Sequence, residues 1–157
     1  MTLIAEYSEA RRGEDLARLR RALALRAMLA TGMSQREAAQ ALGVSQPAVS
    51  QQLRFAPDLA QVDPATLLRA ASPVLKVLAG ERGFTRLAVF GSLARGQAGP
   101  DSDIDLLVRA PKGTSSFGLV KFQRLLQEVL GREVDLVEYG GLKPGLDDDI
   151  RREAVLL

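Results

Sequence analysis

The amino-acid sequence predicts an α+β protein in two parts: an all-α N-terminal domain over residues 1–58 and a small mixed-sheet α/β domain over residues 59–157. Three observations carry that expectation. Up to Arg54 the apolar residues recur at helical spacing between serine caps and glycine stops. Phe55 to Pro64 then holds two prolines and reads as a linker. Beyond residue 85, short apolar runs alternate with a long amphipathic stretch, as strands and helices sharing one sheet do.

Met1 to Gly13 shows no clear periodicity and reads as a frayed end. From Glu14 a helix is expected, because Leu16, Leu19, Leu23, Ala27 and Ala30 form one stripe and the arginines fall largely off it. Thr31-Gly32 stops it. Ser34 and Glu37 are spaced as a capping box for a second helix, Gln35 to Leu42, which ends at Gly43. Ser45 caps a third helix through Pro47, Val49 and Leu53, with the proline in the first turn where its missing N–H costs little. In this arrangement Ala39 is the small residue that lets the helices approach, Gly43 takes the turn's unusual backbone angles, and Val49 locks the third helix onto the second.

Asp63-Pro64 opens a further helix, Ala65 to about Glu81, in which Ser72-Pro73 predicts a kink or a break. A strand follows from Arg86 to Phe90, then a Gly-Ser turn, an aspartate-bearing strand to Arg109, a loop at Pro111–Thr114 and a helix from Ser116 to Leu130. Phe122, Leu125, Leu126 and Val129 mark that helix's inner face. Glu133 to Glu138 reads as the next strand. Leu146 to Leu157 reads as an amphipathic helix opened by Asp147, Asp148 and Asp149, whose charge suits a helix start; consecutive helical residues fan apart, so this triplet is not a metal cluster.

Composition narrows the chemistry. The 157 residues include no cysteine and no histidine, so neither a disulfide framework nor a thiolate or imidazole metal site is available. The longest apolar candidate, Ala22 to Ala30, is short and carries Arg26, and the N-terminus lacks an export pattern, so a cytoplasmic, non-membrane protein is expected. Residues 1–55 hold eight arginines and five acids, against thirteen basic and fourteen acidic residues in the remainder. A mildly basic N-terminal part is compatible with nucleic acid.

The chemistry concentrates in Val89–Gly96 and Ser102–Val108. On a strand Asp103 and Asp105 point the same way, with Ile104 and Leu106 opposite. Two carboxylates about 5–6 Å apart repel by about 3 kcal/mol at an effective dielectric near 20. A divalent cation relieves that repulsion, and an all-oxygen donor set selects Mg²⁺ or Mn²⁺ over zinc. Backbone N–H groups at the Gly91-Ser92 turn suit a phosphate.

Gly91-Ser92, ten residues, then Asp103-x-Asp105 resembles the G-S-x10-D-x-D signature of the nucleotidyltransferase superfamily of polymerase β type, and Gly91-Ser-Leu-Ala-Arg-Gly96 is most similar to its minimal MNT branch. The resemblance covers about residues 65–157. It implies metal binding by Asp103, Asp105 and Asp135, with Asp135 also helping to deprotonate the acceptor hydroxyl, and ATP held by Gly91, Ser92 and Arg95. The pattern alone leaves Asp135 free to point into solvent like Glu133 and Glu138, and Arg95 to be a surface arginine. Because only 22 residues follow Asp135, the sequence leads us to expect no separate acceptor-binding domain. MNT antitoxins pair with HEPN-domain ribonuclease toxins and in some systems transfer AMP onto them, which implies a HEPN-type protein partner and a homodimer or hetero-oligomer.

Val44–Ser50 resembles the recognition helix of Cro/repressor-type helix-turn-helix domains, an element absent from the minimal antitoxins. It implies that Gln46, Ser50, Gln51 and Arg54 face promoter DNA, as a dimer on a two-fold site. The other reading is a helical hairpin that only packs. Two functions therefore follow from the sequence: a Mg²⁺-dependent transferase of AMP to a partner hydroxyl that autoregulates by binding DNA, or a transcription regulator whose second domain only binds nucleotide or partner. A small-molecule transferase ranks third.

Overall fold

The computed structural model describes residues 1–157. Helix α1 runs from Leu3 to Ala30, starting eleven residues before the expected Glu14. Thr2 caps it, its hydroxyl accepting from the Ala5 amide at 3.1 Å. Leu3, Ile4 and Tyr7 in the first turns are exposed, so no buried stripe exists there for a periodicity argument to detect. The helix is carried instead by strong helix formers such as Ala, Glu and Arg.

Helices α2 (Gln35–Leu42) and α3 (Gln46–Arg54) have the expected bounds. Both halves of the Ser34/Glu37 capping box form, and Gly43 takes the left-handed conformation with φ +70°. Ala39 and Val49 join Leu25 of α1 in a small apolar cluster, backed by Met28 and Leu53. Three helices thus share one knot of side chains.

The linker contains a short 3₁₀ turn, Leu59–Gln61, and Leu59 is buried. Helix α4 (Pro64–Glu81) is unbroken across Pro73, so the expected break does not occur. Leu67, Leu68, Ala71, Leu75 and Leu78 are buried along it, and that packing outweighs the one intrahelical bond the proline cannot donate.

Strands β1 (Thr85–Phe90), β2 (Ile104–Arg109), β3 (Val134–Glu138) and β4 (Val155–Leu156) form a sheet in the order β3-β2-β1-β4. It is mixed, as expected: β2 and β3 are parallel and the other two pairs antiparallel. Helix α5 (Gly91–Ala94) follows β1 as a single turn, and α6 (Ser116–Leu130) crosses between β2 and β3. The tail departs from expectation. Helix α7 spans only Asp148–Glu153, and the chain then extends as β4 along β1. Val155 and Leu156 are β-favouring or apolar residues with a free sheet edge to pair with, and the ladder wins over continued helix.

One sheet face, with Leu87, Val89, Ile104, Leu106, Val108, Val134 and Leu136, packs under α4 and α6. Leu19, Leu23 and Ala27 of α1 enter the same cluster, so the first helix belongs to both cores. Arg26 fastens this contact by donating from Nε and Nη2 to the carbonyls of Val129 and Glu128 at the end of α6, at 2.9 and 2.6 Å. The other face carries a smaller cluster, Ala88, Phe90, Leu107, Tyr139 and Leu142. No helix is long and apolar enough to cross a membrane.

Candidate active site

Asp105 lies within β2 on the face of the small cluster, while its neighbours Ile104 and Leu106 are fully buried on the other side. The parallel pairing sets Asp105 opposite Asp135 of β3 and the antiparallel pairing sets it opposite Phe90. Directly paired residues share a face, and neighbouring strands lie about 4.8 Å apart. Asp135 is thereby on the same side as Asp105, with Val134 and Leu136 turned into the main core. Asp103 sits just before β2 rather than inside it, and is exposed.

Burial pushes the Asp105 carboxyl above the usual carboxylate range, and the negative charges of Asp135, Asp103 and Glu153 push it further. Arg95 opposes the shift. The carboxylates do not close into a tight three-ligand set. They form an open shelf, with Asp103 and Asp135 exposed and Asp105 half-buried between them.

Gly91 ends β1 with φ +71° and opens α5. A Cβ at this position would stand 3.0 Å from Cγ of Asp105, so the position demands glycine twice, for its backbone and for its lack of a side chain. Since α5 is one turn, its field is that of a few local N–H groups and not of a long helix. The Gly91 amide donates to Glu153 Oε1 at 2.9 Å, and Arg95 Nη1 donates to Glu153 Oε2 at 2.9 Å. Arg95 is therefore fixed beside the turn.

Two residues of this region escaped the sequence reading. Glu153 was hidden by the expectation of a continuous terminal helix; the apolar Val155–Leu157 run was the signal for a strand there. Arg132 follows Gly131 with nothing in the local pattern to mark it. Its guanidinium donates to the carbonyls of Pro100 (2.7 Å), Ala60 (3.0 Å) and Val62 (3.3 Å), and more loosely to Ser102 and Leu59. It binds the linker to the loop that enters Asp103.

In the helical N-terminal part, Gln46, Ser50 and Arg54 recur at four-residue spacing along one stripe of α3. Gln46 is exposed and donates to Gln35 Oε1 at 2.8 Å, Ser50 is half-buried, and Arg54 is exposed. Gln51 sits apart, on a cleft whose other wall includes Arg18 and Arg21 of α1.

Residues 74–157 match the model of the nucleotidyltransferase domain family, and residues 15–54 that of the homeodomain-like domain. The chain is 44% identical over 75 residues to a candidate protein adenylyltransferase of Methanocaldococcus jannaschii, covering 48% of this chain and 81% of that protein. It is 38% identical over 73 residues to the protein adenylyltransferase MntA of Thermococcus cleftensis, covering 46% and 74%. A solved structure of a candidate minimal nucleotidyltransferase superposes with a TM-score of 0.54 at 39% identity, over 59% of this chain and 95% of that one.

Proposed function

The chain belongs to the nucleotidyltransferase domain family, joined to a homeodomain-like helix-turn-helix, and on that premise we propose that it transfers AMP from ATP to a hydroxyl of a partner protein. The observation that carries this reading is the register pairing of Asp105 with Asp135 beside the Gly91-Ser92 turn. Two relatives bear the name protein adenylyltransferase, which makes a protein hydroxyl the acceptor to propose. The open shelf supports it too, because a macromolecule can bring its own hydroxyl to the acids without entering a pocket.

The donor set fits Mg²⁺, or Mn²⁺: it is all carboxylate, and the Asp105 carboxyl, raised first by burial and then by the charges of Asp135 and Asp103, stands among like charges of the kind a hard cation offsets. Asp103, Asp105 and Asp135 would hold the metal, which when bound offsets charge on the phosphoryl oxygens. Ser92 and the turn would hold the triphosphate, with Arg95 pairing to it. Asp135, on the exposed side of the shelf, would take the acceptor proton. The hydroxyl oxygen then bonds to the α-phosphorus, the bond to the β-phosphate oxygen breaks, and pyrophosphate leaves with the electron pair.

We assign the acceptor to a HEPN-type toxin, with this chain as its antitoxin, and the helix-turn-helix to autoregulation at its promoter, in the cytoplasm. Residues 1–58 and 59–157 are the corresponding functional parts. The test is incubation of the full chain with labelled ATP, Mg²⁺ and that partner. We expect the partner to gain the mass of AMP on a tyrosine, and Asp105→Asn to abolish the gain while sparing complex formation. An unmodified partner with all four nucleotides, in a complex that still forms, would favour a regulator whose second domain only binds.

A further inference from the structure

We propose that Glu153 is a positioning residue for the nucleotide site, holding the Gly91 turn and the Arg95 guanidinium in the arrangement that receives a triphosphate. The proposal rests on the nucleotidyl-transfer reading and adds to it a residue from the far end of the domain. Its first support is register. Strand β4 pairs Val155 with Val89 and Leu156 with Ala88, so Glu153, the last residue of α7 and two before Val155, is delivered to the end of β1 where the chain turns at Gly91. Ile150 and Ala154 pack against the small cluster of Ala88, Phe90 and Tyr139, so the residue is anchored before and after.

The second support is what the carboxylate touches. Phe90 is the last residue of β1 to pair with β2, and the chain then turns with a positive φ, so the Gly91 amide leaves the ladder and needs another acceptor. Glu153 Oε1 supplies it at 2.9 Å. Oε2 accepts from Arg95 Nη1 at 2.9 Å, while Arg95 Nε donates to Gln97 Oε1 at 3.2 Å. Two of the three guanidinium nitrogens are thus spoken for, and Nη2 makes no hydrogen bond within the chain. The Arg95 side chain is 48% exposed and Glu153 21%. An ion pair this open adds little stability, about 0–1 kcal/mol, so its value lies in the direction it gives to Nη2 and to the turn.

The test uses the full chain and its Glu153→Ala, Glu153→Gln, Arg95→Ala and doubly substituted forms, with two readouts. Amide hydrogen exchange without nucleotide should rise across residues 91–95 in Glu153→Ala, with β2 unchanged, and stay near wild type in Glu153→Gln, which keeps an acceptor for the Gly91 amide. Equilibrium titration with Mg²⁺ and ATP should show affinity about tenfold weaker in Glu153→Ala and in Arg95→Ala. The double variant should be no weaker than the worse single one, since both act through one contact. Should Glu153→Ala not fold, Glu153→Gln and Arg95→Ala carry the comparison, with Glu153→Gln between wild type and Arg95→Ala. Wild-type exchange in Glu153→Ala, wild-type affinity in Glu153→Ala and Arg95→Ala, additive losses, or tighter ATP binding without Glu153 would each overturn the proposal; the last would make Glu153 an occupant that the triphosphate displaces. A wild-type chain that takes no ATP defeats the transferase reading itself, and the exchange readout still decides separately whether Glu153 holds the turn.

Discussion

Gly91 and Asp105 stand so close that a methyl group on the glycine would lie 3.0 Å from the aspartate Cγ and closer still to its Oδ2. Gly43 has the same backbone twist, φ +70°, but open space around it. The two sites separate conformational cost from collision. Gly43→Ala should lose about 1–2 kcal/mol, the left-handed penalty alone, and melt about 2–8 °C lower with nucleotidyl transfer intact. Gly91→Ala should destabilise further and abolish transfer. Calorimetry and the AMP-labelling assay on both variants check this, and equal activity would undo the claim.

Asp105 ties stability to pH. Its carboxyl is raised in the folded state, first by burial and then by Asp135 and Asp103, so the folded chain holds that proton more tightly than the unfolded one. The resulting stability is fully present below the ordinary value of 3.8 and is lost as pH rises through the folded-state value. Asp105→Asn should therefore melt above wild type at pH 7, with the difference shrinking on acidification. Millimolar Mg²⁺ should raise the wild-type melting temperature by mass action and leave the Asp103→Asn/Asp105→Asn double variant unmoved. Melting curves over pH, with and without Mg²⁺, measure both.

For the helix-turn-helix, Gln46→Ala and Ser50→Ala should each reduce preference for the promoter by about 1–3 kcal/mol, with little change in non-specific affinity. Arg54→Ala should instead weaken all DNA and lower the salt slope by about one. Fluorescence anisotropy on promoter and scrambled duplexes across a salt series distinguishes the two patterns.

Leu23 is fully buried in the cluster that also contains Leu67, Ile104 and Leu126. Leu23→Ala should cost about 2–5 kcal/mol and lower a single unfolding transition reported alike by helix and sheet probes. Two separate transitions, only the first of them shifted, would mean that the parts unfold independently.

Local signals in the sequence were reliable where one residue type has one use. The Ser34/Glu37 box, Gly43, Ala39 and Val49 all sit where their chemistry requires, and the mixed sheet followed from the alternation of runs. Elements whose stability comes from distant partners were less legible. The leucines on either side of Pro73 are visible, but the α1, α6 and sheet residues they pack against, which keep α4 whole, are distant in sequence, and Val155 extends where β1 offers an edge. Asp135 faces Asp105 through a strand register that no local pattern states. Glu153 and Arg132 act across 58 or more and up to 73 positions respectively, beyond any window of periodicity.

Helix α1 is built into both cores, and Arg132 laces the linker to the loop before Asp103. Packed side chains and hydrogen bonds therefore connect the α3 surface to the acids. For a dimer seated on two half-sites the double helix then becomes a ruler: with half-site centres about 34–36 Å apart, DNA pitch dictates how far apart and at what angle the two shelves are presented. A partner carrying two acceptors would be served on both at once only if its own spacing matched that pitch, so changing the operator spacer by a few base pairs would retune an enzyme without touching its sequence.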